Sequence, residues 1–315
     1  MIKRQTTSSL TIFFLSLLLV TCKPAGIITS QPLKNGSMTS KEIRSITIKE
    51  TISAHEFEGR DDANFKYVKI GGKNKRIPNW AFAIAPALET VILNNNIGVI
   101  EDNSFFSCKN LSTINLENVD SIGESAFKFT KIQAVNLENV TMVGEFAFSD
   151  CLLLQNVRFS KKLKKLGDFA FSNDTLLTEC IIPSGNIGAN TFMGCSNLEE
   201  IEVRQVSFIG KAAFLNCHSL SSISLSPKLE SIENFTFYGC RNLRNISLPQ
   251  NLKAIGDFAF WGTSIEILEV PASVIKIGNS AFAECKFLKK VVLNNPDITI
   301  AESAFDNNII IENKY

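Results

Sequence analysis

The sequence predicts an α/β repeat solenoid. Units of about 22 residues stack along one axis, with a parallel β-sheet on one face and turns or short helices on the other. Three regularities carry that expectation. Phe82, Phe105, Phe127, Phe148, Phe171, Phe192, Phe214, Phe237, Phe260, Phe282 and Phe305 follow one another at intervals of 21 to 23 residues. An aliphatic residue stands five places before each, from Ile77 through Val143 and Leu166 to Ile300. A segment of the form L-x-x-I-x-L follows all but the last, from Leu88–Leu93 to Leu288–Leu293. By length alone, 315 residues could hold two globular domains. A fixed period instead demands one core running the length of an array.

Composition narrows the function classes. Lysine and arginine (32) nearly balance aspartate and glutamate (31), for a net charge of +1. With these charges spread along the chain, no basic stripe suggests a nucleic-acid partner. Of 24 phenylalanines, 11 belong to the repeat, whereas histidine, the commonest acid–base residue, occurs twice.

In chain order, residues 1–22 read as an export signal. Lys3 and Arg4 precede the apolar run Leu10–Val20, whose eleven residues are too few to span a bilayer as a helix. The run ends in Leu19-Val20-Thr21-Cys22, which resembles the lipobox of bacterial lipoproteins, with Thr21 where Gly, Ala or Ser is usual. That resemblance makes Cys22 the lipidation site, each buried acyl methylene contributing about 0.8 kcal/mol. Residues 23–40 are aperiodic and rich in Pro, Gly, Ser and Thr. They read as a flexible tether with a reach of roughly 25 Å. The repeat domain is expected over 41–315, with atypical capping repeats at about 41–76 and 300–315.

Each position of the repeat has a structural reading. The end of L-x-x-I-x-L alternates with period two, as a half-buried strand does, and strands of successive turns must run parallel about 4.8 Å apart. Pro183, Pro249 and Pro271 follow such strands, where a missing donor ends the ladder. Gly123, Gly144, Gly167, Gly188, Gly210, Gly256 and Gly278 follow the aliphatic residue, which suggests a turn with unusual backbone angles. A small residue before each Phe suggests close packing of neighbouring turns, and the Phe side chains form a spine.

The pattern I-G-x-x-A-F-x-x-C-x-x-L-x-x-I-x-L-P resembles the BspA-like, or treponemal, class of leucine-rich repeats over about residues 43–311. The resemblance implies a leucine-rich repeat array: a curved solenoid with parallel strands lining one face. Members are mostly surface proteins of bacteria and some mucosal protozoa, and several act as adhesins for host matrix proteins or other microbes.

Six of the eight cysteines, Cys108, Cys151, Cys195, Cys217, Cys240 and Cys285, sit three residues after the repeat Phe, and Cys180 replaces a strand Ile. Thr130, Asp174 and Thr263 take that place in other repeats, so the column reads as small buried residues. A disulfide between neighbours such as Cys195, Cys217 and Cys240 stays conceivable. His55-Glu56 lacks the second histidine of a zinc protease, and Gly72-Lys73 lacks the rest of a phosphate loop. No catalytic residue, cofactor or metal is expected.

The candidate binding surface is the strand face turned away from the core. Its named residues are Arg158, Glu179, Ile181, Glu200, Glu202, Ile267, Glu269, Lys290 and Val292. Glu179, Glu200 and Glu202 should form an acidic patch, while Ile181, Ile267 and Val292 are apolar where polar residues prevail. These features point to a non-catalytic, protein-binding lipoprotein held to the membrane by its lipid anchor alone. The leading expectation is a cell-surface, outer-membrane adhesin for host extracellular-matrix or microbial surface proteins. The alternative is a scaffold on the periplasmic face that binds other envelope proteins.

Overall fold

Alternating burial carries the L-x-x-I-x-L segments into strands, except Leu243–Leu248, which forms none. In the computed structural model, which describes residues 44–59 and 65–315, Asn156–Phe159 and Glu179–Ile182 alternate exposed and buried side chains along their length. Leader, Cys22 and tether lie outside the described residues. The long strands run from Arg44–Ile48 and Phe65–Ile70 to Lys290–Leu293 and Ile310–Asn313, and every pair is parallel. Successive long strands do not form one unbroken ladder. Thr113–Ile114 closes a four-stranded sheet; Ala134–Leu137 and Asn156–Phe159 pair only with each other; Glu179–Ile182 opens a three-stranded sheet. The last strand of the first sheet, only two residues long, is short for a visible reason. Asn115 follows Thr113–Ile114, and its side-chain Oδ1 accepts from the Leu93 N–H at 2.7 Å while Nδ2 donates to the Leu93 carbonyl at 3.1 Å. A side-chain amide thus does the work of the backbone there.

The short aliphatic position forms a second ladder that the sequence does not announce. Arg76–Ile77, Val99–Ile100, Ser121–Ile122, Met142–Val143, Lys165–Leu166, Gly185–Ile187 and Val206–Ile209 make one seven-stranded parallel sheet. Ser231–Ile232, Ala254–Ile255, Lys276–Ile277 and Thr299–Ile300 make a second. The recurring glycines start the turn that follows, and their role differs from the expected one. None of the seven has a left-handed φ. A Cβ on Gly144 would instead lie 2.5 Å from the Gly123 carbonyl carbon and 2.6 Å from the Glu124 nitrogen, in the preceding coil. Glycine is there because coils touch through their backbones.

The third segment corrects the expectation of short helices, and with it the α/β class: the described residues contain no helix, and the array is a parallel β-solenoid. Around Phe148, Ala147, Ser149 and Cys151 donate back to Gly144, Phe146 and Phe148, closing three overlapping turns. The alternate donors, Phe146, Phe148 and Asp150, reach across to Asp168, Ala170 and Ser172 of the next coil at 2.8–2.9 Å. A helix would need all these N–H groups pointing the same way along its own axis. Left-handed angles fall two residues either side of the Phe, at Phe146 (φ 53°) and Asp150 (φ 61°), and recur from coil to coil.

Inside the coils, the phenylalanines from Phe57 to Phe305 stack face to face, with ring centroids 5.0–5.6 Å apart and planes 3–17° from parallel. The cysteine column packs beside this spine. All seven described cysteines are buried and free, and six do more than fill space. Each of those thiols donates to the carbonyl of a Phe in the preceding coil, as Cys108 does to Phe82 at 2.9 Å and Cys217 to Phe192 at 3.1 Å. Burial pushes the thiols up, Cys108 to about 12 and Cys285 to about 11, so they stay protonated donors.

Candidate protein-binding face

The long strands place their outward side chains over a cavity of about 1230 Å³. Its lining runs from Ile114 to Ser224, so six coils and two of the interruptions of the strand ladder contribute to one concavity. Arg158, Glu179, Ile181, Glu200 and Glu202 all line it. The structure therefore brings together five of the residues expected from sequence. Their outward direction follows from period-two alternation: Val157, Cys180 and Ile201, the neighbours between them, are buried.

Electrostatics divide the groove. Glu179 and Glu200 are register partners on adjacent strands, and neither forms an ion pair among the described residues. Like charges one strand apart oppose each other, a cost that a cationic ligand group would relieve. Glu202 is different. Arg204 Nε and Nη2 donate to its two carboxylate oxygens at 2.7 and 3.0 Å, and that hydrogen bonding holds its carboxyl below the usual range. The expected acidic patch thus reduces to the Glu179–Glu200 pair. On the coil before Glu179, Arg158, Lys161 and Lys162 line the cavity, with Glu138 and Glu117 on the coils beyond them, and Ile181, 47 % exposed, stands between the cations and Glu202. Sequence reading missed Arg204, Lys161 and Lys162. Arg204 lies two residues after Glu202, just past the strand, a spacing that would have flagged a bidentate pair.

The remaining four expected residues lie elsewhere, on the sheet of Ile267–Val270, Lys290–Leu293 and Ile310–Asn313. Ile267 is exposed, as is Glu269. Lys290 is ion-paired with Glu312 on the next strand. Val292 corrects the reading outright, because it is only 5 % exposed. It sits in register between Glu269 and Glu312, where flanking strands cover a side chain as short as valine.

Little points to chemistry. His55 Nδ1 meets Glu58 at 2.5 Å on the exposed first coil, and His218 Nδ1 meets the Gly239 carbonyl at 2.9 Å. Both are tied into local structure outside the groove. Among the described residues no set of three or more His, Cys, Asp or Glu side chains is placed to hold a metal ion. Among the same residues no helix is long and apolar enough to cross a membrane.

A family model described as a BspA type leucine rich repeat region of six copies matches the chain over residues 31–141, 121–226 and 207–314. No curated protein matches it. Among solved structures, a leucine-rich repeat protein from Bacteroides ovatus superposes with a TM-score of 0.60 at 19 % identity, covering 91 % of this chain and 100 % of that one. A leucine rich cell surface protein from Faecalibacterium prausnitzii gives 0.43 at 20 % identity, covering 84 % and 95 %. The pneumococcal vaccine antigen PcpA gives 0.44 at 16 %, covering 88 % and 90 %. At these identities the first likeness speaks for the fold alone.

Proposed function

The chain belongs to the BspA-type leucine-rich repeat family, and from that premise we propose that it is a non-catalytic, protein-binding array. In this reading residues 1–22 direct export, Cys22 carries the lipid, and residues 23–40 hold the array off the membrane as a surface adhesin for host matrix or microbial proteins. The observation that carries the reading is the groove: a concavity of about 1230 Å³ on the strand face, lined by side chains of both signs around an exposed Ile181. Many shallow contacts along such a face sum to useful affinity without a deep pocket.

One experiment tests binding and display together. Immobilised extracellular-matrix proteins are probed with the native chain and with Glu179→Lys/Glu200→Lys, both side chains being exposed and outside the core. Charge reversal at the groove is expected to change binding about tenfold or more, as central interface charges do. Protease added to intact cells should remove the array. Matrix binding indifferent to the double substitution would move the site off this face. Protection until the envelope is permeabilised would instead place the array inside, as a scaffold for envelope proteins.

A further inference from the structure

Charge is not evenly spread after all. Residues 158–165, R-F-S-K-K-L-K-K, hold five cations and no anion in a chain whose net charge is only +1. Arg158, Lys161, Lys162, Lys164 and Lys165 are all exposed, and none forms an ion pair among the described residues. The turn that carries them is pinned. The Lys162 N–H donates to buried Ser160 Oγ at 3.0 Å, and Ser184 of the next coil bridges the Lys161 and Leu163 carbonyls at 3.0 and 2.9 Å. Neighbouring coils supply little compensation at this corner: Glu138 and Asn139 before it, Pro183, Ser184 and Asn186 after it. Five cations held together with little counter-charge and no ion pair oppose folding, and a bound polyanion removes that repulsion.

From this corner we infer a second binding site, for a sulfated polysaccharide. The shape of the charge selects the class. Arg158 projects from the long-strand face, Lys161 and Lys162 lie in the turn, and Lys165 projects from the short-strand face. The cations therefore wrap around an edge of the solenoid. A flat bilayer or a stiff duplex can touch one side of an edge but not both. A flexible linear polyanion can follow the bend. Single-stranded nucleic acid also bends, but its binding leans on aromatic side chains that stack with bases. Here the one aromatic residue within the segment, Phe159, is buried. The half-exposed rings nearby, Phe146 and Phe169, stack on each other on the turn side at 4.7 Å. Lysine ammonium groups, as compact point charges, suit dispersed sulfates. Arg158, Lys161 and Lys162 also line the groove, whereas Lys164 and Lys165 do not, so the site extends beyond the proposed protein-binding face.

The test titrates the native chain with a highly sulfated glycosaminoglycan and with its desulfated counterpart. Phosphatidylglycerol vesicles and a single-stranded oligothymidylate run alongside, all at about 0.15 M salt. The native chain is expected to bind the sulfated form with an affinity that falls steeply as salt rises, and to ignore the desulfated one. Lys161→Gln/Lys162→Gln/Lys164→Gln/Lys165→Gln should weaken that binding about a hundredfold. An equal number of exposed lysines removed elsewhere, at Lys253, Lys276, Lys286 and Lys289, should leave it unchanged. Lack of binding to the sulfated chain overturns the inference, as does equal loss in the control variant. Vesicles or oligothymidylate bound as tightly through the same four lysines would assign the corner to those partners instead. Because the substituted lysines are exposed, matching thermal unfolding of the variants separates lost binding from lost fold.

Discussion

Asp174→Cys is expected to stabilise the chain by about 1–3 kcal/mol at neutral pH and to remove one component of its pH dependence. Asp174 occupies the cysteine position of its coil and is fully buried. Its Oδ1 accepts from the Cys151 N–H at 2.9 Å, but its Oδ2 has no hydrogen-bond partner. Burial pushes its carboxyl well above the ordinary 3.8, and the nearby Asp150 carboxylate pushes in the same direction, against the lowering effect of the Cys151 N–H. The unfolded chain therefore loses this proton at a lower pH than the folded one. The group's favourable contribution is complete below about pH 4 and is lost as pH climbs through the folded-state value. A cysteine there would restore the thiol donor that six other coils direct at a preceding Phe carbonyl. Urea midpoints of the native chain and the variant at pH 4, 7 and 9 decide the matter. The gap in favour of the variant should widen from pH 4 to 7; a gap constant with pH would mean that Asp174 is not the buried acid described.

What the sequence made legible follows from which physical signals repeat. The Phe interval and the period-two strands are legible because every coil buries the same positions, as Phe148, Val157 and Phe159 illustrate. The second ladder was not, because a two-residue strand such as Lys165–Leu166 is too short to show alternation. The run of turns around each Phe reads from sequence as a possible helix because its left-handed positions carry residues as unlike as Phe146, Asp150, Ala212 and Glu284. Inter-coil hydrogen bonds impose those angles, and no single residue type marks them. Gly144 displays the same ambiguity from the other side: its sequence says only that a side chain is unwelcome, not whether angle or contact forbids it. At the candidate face, Ile181 and Val292 hold equivalent strand positions, yet one is exposed and the other covered. Covering depends on neighbours one coil away, such as Glu269 and Glu312, which a linear reading does not set side by side. The lysine corner was printed plainly in K-K-L-K-K. Its meaning required knowing that no carboxylate pairs with it among the described residues.

Phe192→Ala is expected to cost about 3–5 kcal/mol, the larger of the two effects, because it opens a cavity in the middle of the spine. Phe192 is fully buried and sandwiched between Phe171 and Phe214, each with its ring centroid 5.6 Å away. Its own N–H donates to Ala213 at 2.8 Å, and its carbonyl accepts from the Cys217 thiol. The substitution spares those backbone groups and removes only the ring. Stability in a stacked array is close to a sum of coil terms and nearest-neighbour interfaces. Loss of one ring therefore weakens two interfaces at once. Phe305→Ala makes the comparison: Phe305 is half-buried, stacks in the spine on Phe282 alone at 5.2 Å, and should cost about half as much. Urea unfolding followed by circular dichroism and by tryptophan emission from Trp80 and Trp261, on opposite sides of Phe192, would detect the break. In the native chain the two probes should share one transition; in Phe192→Ala they should separate as the halves uncouple. Equal costs at Phe192 and Phe305 would contradict a nearest-neighbour core. The groove reaches across the same point, with Glu179 before Phe192 and Glu200 after it. Uncoupling the halves should therefore blur the binding face even where each half stays folded, which ties the proposed display function to the continuity of the stacked rings.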